Sequence, residues 1–443
     1  MKKQIYHLIG ICGASMSSLA LWLKKRGCIV QGSDLHLGKI GQMLQSQGIT
    51  VYKGHCKNNI KNSDIVVYSS AIKNNPELNY ALKKNLTVLT RAELLEIISK
   101  HYKNVIAVSG AHGKTTTTAL IYNCLKCADK NPTLHLGGII KGQESGLVFG
   151  DYEYFVTEAC EYQNNFLHLK PTIGVILNVE KEHLDFFKTY KNIKKSFETF
   201  AINSKSCVIN KKISIKTPQN SIFFNDNSSF YAKNIKKKSN GHIGFDCYFN
   251  NEFYYHFDLS LVGRHNVYNA LAVITVCNKL GIDKKYIYQG LNQFSGIKRR
   301  YEFMGNVKRK IFLVHDYAHH PTEIKKTINA TRQIVKYKKL LVVFQPHTYS
   351  RTKTLMNKFV EIFFNLDDVV IISTYSAREK FDKDGSAKTL YNKIKENNNH
   401  AIYCANFITA QNYIETKIQN GWAVLILGAG DIDILAENLS KLC

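Results

Sequence analysis

V-I-A-V-S-G-A-H-G-K-T-T-T-T spans Val105 to Thr118. A β-branched run with the pattern of a buried strand ends at Ser109, a turn follows through Gly110 and Gly113, and an apolar-periodic helix opens at Lys114. Strand, glycine turn and helix in that order form a cradle for nucleotide phosphates. Glycines let backbone N–H groups converge on phosphate oxygens, the helix N-terminus adds partial positive charge, and Lys114 adds a full one. Thr115 stands where its hydroxyl can hold Mg2+. Gly110, Ala111, His112, Gly113, Lys114, Thr115 and Thr116 are therefore the candidate nucleotide-phosphate-binding residues. Only Ala111 and His112 separate the glycines, whereas the general phosphate loop has four residues there. A plain strand-to-helix turn would leave Lys114 and four successive threonines unexplained.

Upstream, residues 5 to 9 read as a strand, and Gly10-Ile-Cys-Gly13-Ala-Ser-Met leads into an apolar helix ending near Lys25. Cys28 to Val30 read as the next strand, with Ser33-Asp34 at its end. A glycine turn aimed at a diphosphate, with an acid at the second strand's tip, opens a Rossmann-like unit. Ser15 stands where a third glycine belongs. Strands expected at Ile65 to Tyr68 and Leu86 to Leu89 close a first domain near Lys103. Downstream of the loop, strands at Tyr154 to Thr157 and Ile173 to Leu177 deliver E-A-C-E at Glu158 and N-V-E-K-E-H-L-D at Asn178. Carboxylates and imidazoles at the carboxyl ends of strands lie where an α/β sheet binds ligands, and both can ligate Mg2+. Residues 206 to 258 are polar and asparagine-rich, as expected of a short-stranded, irregular β insertion. From about Tyr301 strands and helices alternate again.

The 443 residues allow three domains at about 150 residues each. A hydrophobic share of 44% and a charged share of 21% are those of a globular chain. The net charge of +26 invites a nucleic-acid reading, but the lysines are scattered without a concentrated arm, so no nucleic-acid partner is expected. Eleven irregularly spaced cysteines argue against a disulfide framework and for a reducing cytoplasm. Cys124 and Cys127 have no second pair and read as core. Gln4 to Leu23 carry no Asp, Glu, Lys or Arg, yet divide into strand, turn and helix, so no membrane segment is expected.

Ten ordered motifs now combine. Besides those above they include S-S-A-I at Ser69, G-R-H-N-V-Y-N-A at Gly263, G-I-K-R-R-Y-E at Gly296, D-Y-A-H-H-P-T-E at Asp316, F-Q-P-H-T-Y-S-R-T at Phe344 and G-A-G-D-I at Gly428. Together they resemble the Mur ligases of peptidoglycan synthesis, most closely the alanine-adding branch, over nearly the whole chain. The resemblance implies an α/β protein of three domains: an N-terminal Rossmann-like domain for the UDP-sugar (1–103), a central P-loop ATPase-type α/β sheet with a β insertion (104–300), and a C-terminal Rossmann-like domain for the amino acid (301–443).

It also implies an ATP-dependent, Mg2+-using ligase that joins L-alanine to UDP-N-acetylmuramate through an acyl phosphate, acting as a monomer or weak homodimer. On that resemblance Lys114, Glu158, His183 and Arg300 are catalytic, with Thr115 and Glu158 on one Mg2+ and His183 on a second. Asn266 meets adenine, and Asp316 the ATP ribose region. Gly10, Gly13, His55 and Arg91 contact the UDP-sugar, and His320 and Arg351 the alanine. Thr348 departs from an arginine found in many relatives. The nearest rival is a ligase that recycles a preformed tripeptide onto the same UDP-sugar; a non-catalytic nucleotide- or nucleic-acid-binding module is the rival of another class.

Overall fold

The structure, a computed structural model, describes residues 4–60, 62–69, 72–226, 228–238, 241–307, 311–334, 336–377 and 379–441. Ser70 and Ala71 of the S-S-A-I motif lie outside the described residues. The chain forms two compact units, 1–236 with 243–295, and 296–443 with 237–242.

The first unit begins with five parallel strands, β1 (Ile5–Ile9), β2 (Ile29–Asp34), β3 (Thr50–Lys53), β4 (Ile65–Tyr68) and β5 (Thr87–Thr90), in spatial order 3-2-1-4-5. The order reverses beside β1, so the Gly10 turn opens at the crevice where such sheets take ligands. β2 runs to Asp34 instead of stopping at Val30, because Gly32 leaves room for the Leu8 carbonyl and Ile11 beside it. The uncharged N-terminal stretch is β1, a turn and the helix Ala14–Lys25; among the described residues no helix is long and apolar enough to cross a membrane.

Beneath this sheet sits a buried polar knot. Glu77, fully buried, accepts from Ser33 Oγ (2.5 Å), Asn59 Nδ2 (2.7 Å) and the Cys56 amide (3.2 Å), and lies 3.2 Å from His55 Nδ1 and 3.4 Å from His7 Nε2. Burial alone would raise its carboxyl pKa, but the proximity of His7 and the bonds from Ser33 and Asn59 prevail and bring it down to about 2. A carboxyl depressed in the folded state contributes stability that is present above its unfolded pKa and lost as pH falls through the folded value. The native protein is therefore expected to lose ~3 kcal/mol between about pH 4.5 and pH 2 through this one group. Glu77→Gln, followed by urea titration across that range, should flatten this acid limb.

The second sheet has ten strands: β6 (Asn104–Ser109), β7 (Thr133–His135), β8 (Leu147–Val148), β9 (Tyr154–Glu158), β10 (Ile173–Ile176), β11 (Ser206–Asn210), β12 (Ile222–Phe224), β13 (Phe230–Lys237), β14 (His242–Phe249) and β15 (Glu252–Val262). Their order is 15-14-13-12-11-10-6-9-7-8. β6 thus lies between two parallel neighbours, β9 and β10, whose carboxyl ends flank its own. The segment 206–258 is not short-stranded and irregular: β13, β14 and β15 run eight, eight and eleven residues and continue the sheet. Its polar composition belongs to the exposed positions; Phe230, Phe245 and Phe257 are fully buried between them, and the helix His265–Lys279 packs on β12 and β15.

In the second unit β16 (Glu302–Val307) runs antiparallel to β17 (Ile311–Asp316). β18 (Lys339–Phe344), β19 (Asp368–Ile372), β20 (Ala401–Cys404) and β21 (Trp422–Leu427) complete a sheet ordered 16-17-21-18-19-20, parallel from β17 onward. β16 escapes the sequence pattern because a bulge between Phe303 and Gly305 breaks its alternation. The cysteines among the described residues are free thiols, and Cys124 is buried in the core.

Candidate active site

The phosphate loop is pinned from both sides. Gly110 and Gly113 take φ of +140° and +85°, and a Cβ on Gly113 would sit 2.6 Å from Asn269 Oδ1 and 3.2 Å from Leu177 Cδ1. The His112 amide donates to Asn178 Oδ1 (2.9 Å), and Asn178 Nδ2 donates back to the His112 carbonyl (3.0 Å). The helix Lys114–Cys127 starts without a side-chain cap, which leaves its first N–H groups to a phosphate. Gly113→Ala combines a strained φ with a collision, and is expected to weaken ATP binding by about tenfold or more, as read by equilibrium titration with a fluorescent ATP analogue.

Lys114 is held on the loop and against an acid. Its Nζ donates to the Gly110 carbonyl (2.5 Å) and lies 3.1 Å from both Glu161 carboxylate oxygens. Burial draws the ammonium's pKa down, but Glu161 more than offsets it and the net shift is upward. Burial likewise raises the Glu161 carboxyl, and Lys114 with His183 outweighs it, so its pKa falls below the carboxylate norm. The pair is ionised at neutral pH.

The three expected metal ligands separate into two places. Thr115 Oγ1 donates to Glu158 Oε2 (3.0 Å), while the Gly137 amide holds the other Glu158 oxygen at 2.6 Å. His183, at φ +54°, turns its Nε2 to 3.6 Å from Glu161 Oε1 and joins Glu161 and Glu182 in a group whose potential ligand atoms lie within 4.8 Å of one another. Glu161 and Glu182 are absent from the residues assigned by sequence. The signal for them is in E-A-C-E and E-K-E-H, where a second acid follows or precedes each assigned ligand. Oxygen donors with one imidazole suit Mg2+, and Glu161, whose charge Lys114 balances, offers its carboxylate to that group beside Glu182 and His183. The residues present fit the ion.

The turn after β1 is braced by Asp34, whose Oδ2 accepts from the Cys12 amide (3.0 Å); Gly10 adopts φ +80° and donates to the Ser33 carbonyl, and Gly13, exposed, begins the helix. Arg91 donates to Ser15 Oγ (3.3 Å), while His55 belongs to the Glu77 knot with its side chain 13% exposed. Asn266 is buried, its Nδ2 on the Val262 carbonyl (2.7 Å) and its Oδ1 on Asn269 Nδ2 (2.9 Å). It therefore sits one residue away from the contact beneath Gly113. Capping does not explain it, since the helix His265–Lys279 has no side-chain cap.

In the second unit the carboxyl ends of β17, β18 and β21 carry the candidates. Asp316 is buried and accepts from Thr327 Oγ1 (2.5 Å), and burial lifts its carboxyl pKa. Arg299 and Arg300 both stack 4.9 Å over Tyr317, but Arg299 also donates to the Gly430 carbonyl (2.7 Å), so it braces the G-A-G-D loop. His320 Nδ1 accepts from the Thr322 amide (3.3 Å). Arg351 Nη1 donates to His347 Nδ1 (2.9 Å) and the His347 carbonyl (3.1 Å). Thr348, the residue in place of an arginine, takes φ +68° at the start of the helix Tyr349–Thr354.

Comparison with known proteins agrees across the chain. The family described as "Mur ligase family, catalytic domain" matches residues 5–103, "Mur ligase middle domain" residues 108–277, and "Mur ligase, glutamate ligase domain" residues 299–430. A UDP-N-acetylmuramate-L-alanine ligase of Caldicellulosiruptor saccharolyticus is 43% identical over 98% of this chain and 97% of its own length. One of Clostridium acetobutylicum is 39% identical over 97% and 96%. The crystal structure of the UDP-N-acetylmuramate-alanine ligase of Thermotoga maritima superposes with a TM-score of 0.87 at 25% identity, covering 99% and 98%. A murein peptide ligase from Psychrobacter arcticus shares the fold, with a TM-score of 0.74 at 23% identity over 99% and 98%.

Proposed function

This chain belongs to the Mur ligase family, and from that premise we propose that it joins L-alanine to the lactyl carboxylate of UDP-N-acetylmuramate, with ATP consumed, in peptidoglycan precursor synthesis. One observation carries the chemistry: at the carboxyl ends of the adjacent strands β9, β6 and β10, Lys114 meets Glu161 and Thr115 meets Glu158. A carboxylate is a poor electrophile, and transfer of the γ-phosphoryl group turns one of its oxygens into a leaving group. The alanine amine then attacks the acyl phosphate through a tetrahedral intermediate and expels phosphate.

The chain's part is to bring anions together and hold them. The amides of the turn 110–113 and Lys114 hold the ATP phosphates, and Arg300 offsets charge on the transferring group. We assign Asn266 to the adenine side of the site and Asp316 to the ribose. Gly10, Gly13, His55 and Arg91 hold the UDP-sugar, and Arg351 and His320 the alanine, the guanidinium as a fork on its carboxylate. Mg2+, held by Thr115 with Glu158 and by Glu161, Glu182 and His183, would neutralise phosphate charge. We assign the three roles to residues 1–103, 104–300 and 301–443, and place the reaction in the cytoplasm.

The test is release of phosphate from ATP and Mg2+ with UDP-N-acetylmuramate, with and without L-alanine. Alanine-dependent release is the expected result. Turnover with L-Ala-γ-D-Glu-meso-diaminopimelate but not with L-alanine would overturn it.

A further inference from the structure

Ser15 occupies the place of the third glycine in the turn after β1, and its side chain is the first link in a run of hydrogen bonds. Arg91 Nη1 donates to Ser15 Oγ (3.3 Å), which lies 3.0 Å from His135 Nε2. His135 Nδ1 lies 2.9 Å from Thr157 Oγ1, and that hydroxyl donates to the Glu158 carbonyl (3.1 Å).

The donors can be assigned. His135 is 3% exposed, and burial together with the charge of Arg91 pushes its imidazole down to about 3, so the ring is neutral and carries one N–H. The Thr157 hydrogen is spent on Glu158, so the ring's hydrogen is on Nδ1 and points to Thr157. Nε2 then accepts the Ser15 hydrogen, and the Ser15 oxygen accepts Arg91. Each donor is used once and all bonds run in a consistent direction, the condition under which such a chain reinforces itself. It starts on the helix Arg91–Ser99, passes through the first turn of Ala14–Lys25 and the end of β7, and finishes on the strand that carries Glu158. A glycine at 15 would leave both the guanidinium and the buried imidazole short of a partner.

We propose that Ser15 is a positioning residue that couples the nucleotide-sugar site to the ATP site, its hydroxyl tying Arg91 through His135 and Thr157 to the strand of Glu158. The identity of the two ligands rests on the proposed function. Ordering the chain costs freedom once, so whichever ligand binds first and fixes its end lowers the cost for the other.

The experiment is calorimetry of a non-hydrolysable ATP analogue with Mg2+, in the presence and absence of UDP-N-acetylmuramate, on the unaltered protein, Ser15→Ala and Ser15→Thr. In the unaltered protein the sugar nucleotide should tighten analogue binding by about fivefold or more. Ser15→Ala should bring that ratio close to one and raise the KM for UDP-N-acetylmuramate about tenfold while moving kcat less, and Ser15→Thr, which keeps the hydroxyl, should restore both. A ratio unchanged in Ser15→Ala would overturn the coupling. So would equal loss of affinity for both ligands with a lowered Tm, the mark of a purely structural role. Failure of the unaltered protein to bind UDP-N-acetylmuramate at all would overturn the functional reading itself, a result distinct from binding without coupling.

Discussion

Lys114→Ala is expected to lower alanine-dependent phosphate release by about a thousandfold or more, because one fixed cation at a transferring phosphoryl group carries an effect of that order. Stability should suffer as well. Glu161 is buried and its charge is balanced chiefly by Lys114, so removing the ammonium leaves a buried carboxylate uncompensated, at a cost of ~3–5 kcal/mol. The two effects can be separated. Lys114→Ala with Glu161→Gln should recover much of the lost Tm, since no uncompensated charge remains, yet stay as inactive as the single variant. Recovery of phosphate release in the double variant would show that Lys114 serves the fold and not the phosphate.

Arg351→Lys should reduce kcat/KM for L-alanine by about a hundredfold while leaving the KM for ATP nearly unchanged, since a lysine carries the charge but not the fork. The surroundings sharpen this expectation. Burial, reinforced for His347 by the Arg351 charge, holds His347 and His319 down to about 4, so both imidazoles are neutral at physiological pH. Arg351 therefore lies beside neutral rings, one of which accepts a hydrogen bond from its Nη1 and fixes the plane of the guanidinium. A further consequence concerns pH: these imidazoles gain charge only as pH falls toward 4, so the KM for L-alanine should be flat from about pH 6 to pH 8 with respect to both. Steady-state kinetics with alanine varied across that range measures this directly.

The phosphate loop is legible in sequence because strand, glycines, lysine and threonine are contiguous, so local rules specify it. The same holds for β4, which runs from Ile65 to Tyr68 as its β-branched residues indicate. Glu161 is harder to place. In sequence it is one of two acids three residues apart, and only the turn after β9 decides that Glu158 meets Thr115 while Glu161 meets Lys114. Glu77 and His135 are harder still. Each looks like an ordinary polar residue until a helix and a strand far apart in the chain bring it against Ser33 or Ser15. The segment 206–258 misleads for another reason: its alternation of asparagine and lysine with aromatics averages to a loop-like composition, although one face of it is core.

The placing of β6 between β9 and β10 also sets the order of events during synthesis. The loop reaches solvent first, but its partners lie later in the chain: Lys114 waits 47 residues for Glu161, and the His112 amide 66 for Asn178. Until β9 and β10 have been made and paired on either side, the glycine turn has nothing to pin it and Lys114 has no counter-ion. Nucleotide competence thus cannot precede closure of the strands on both flanks, and a nascent chain halted before residue 178 should not retain ATP.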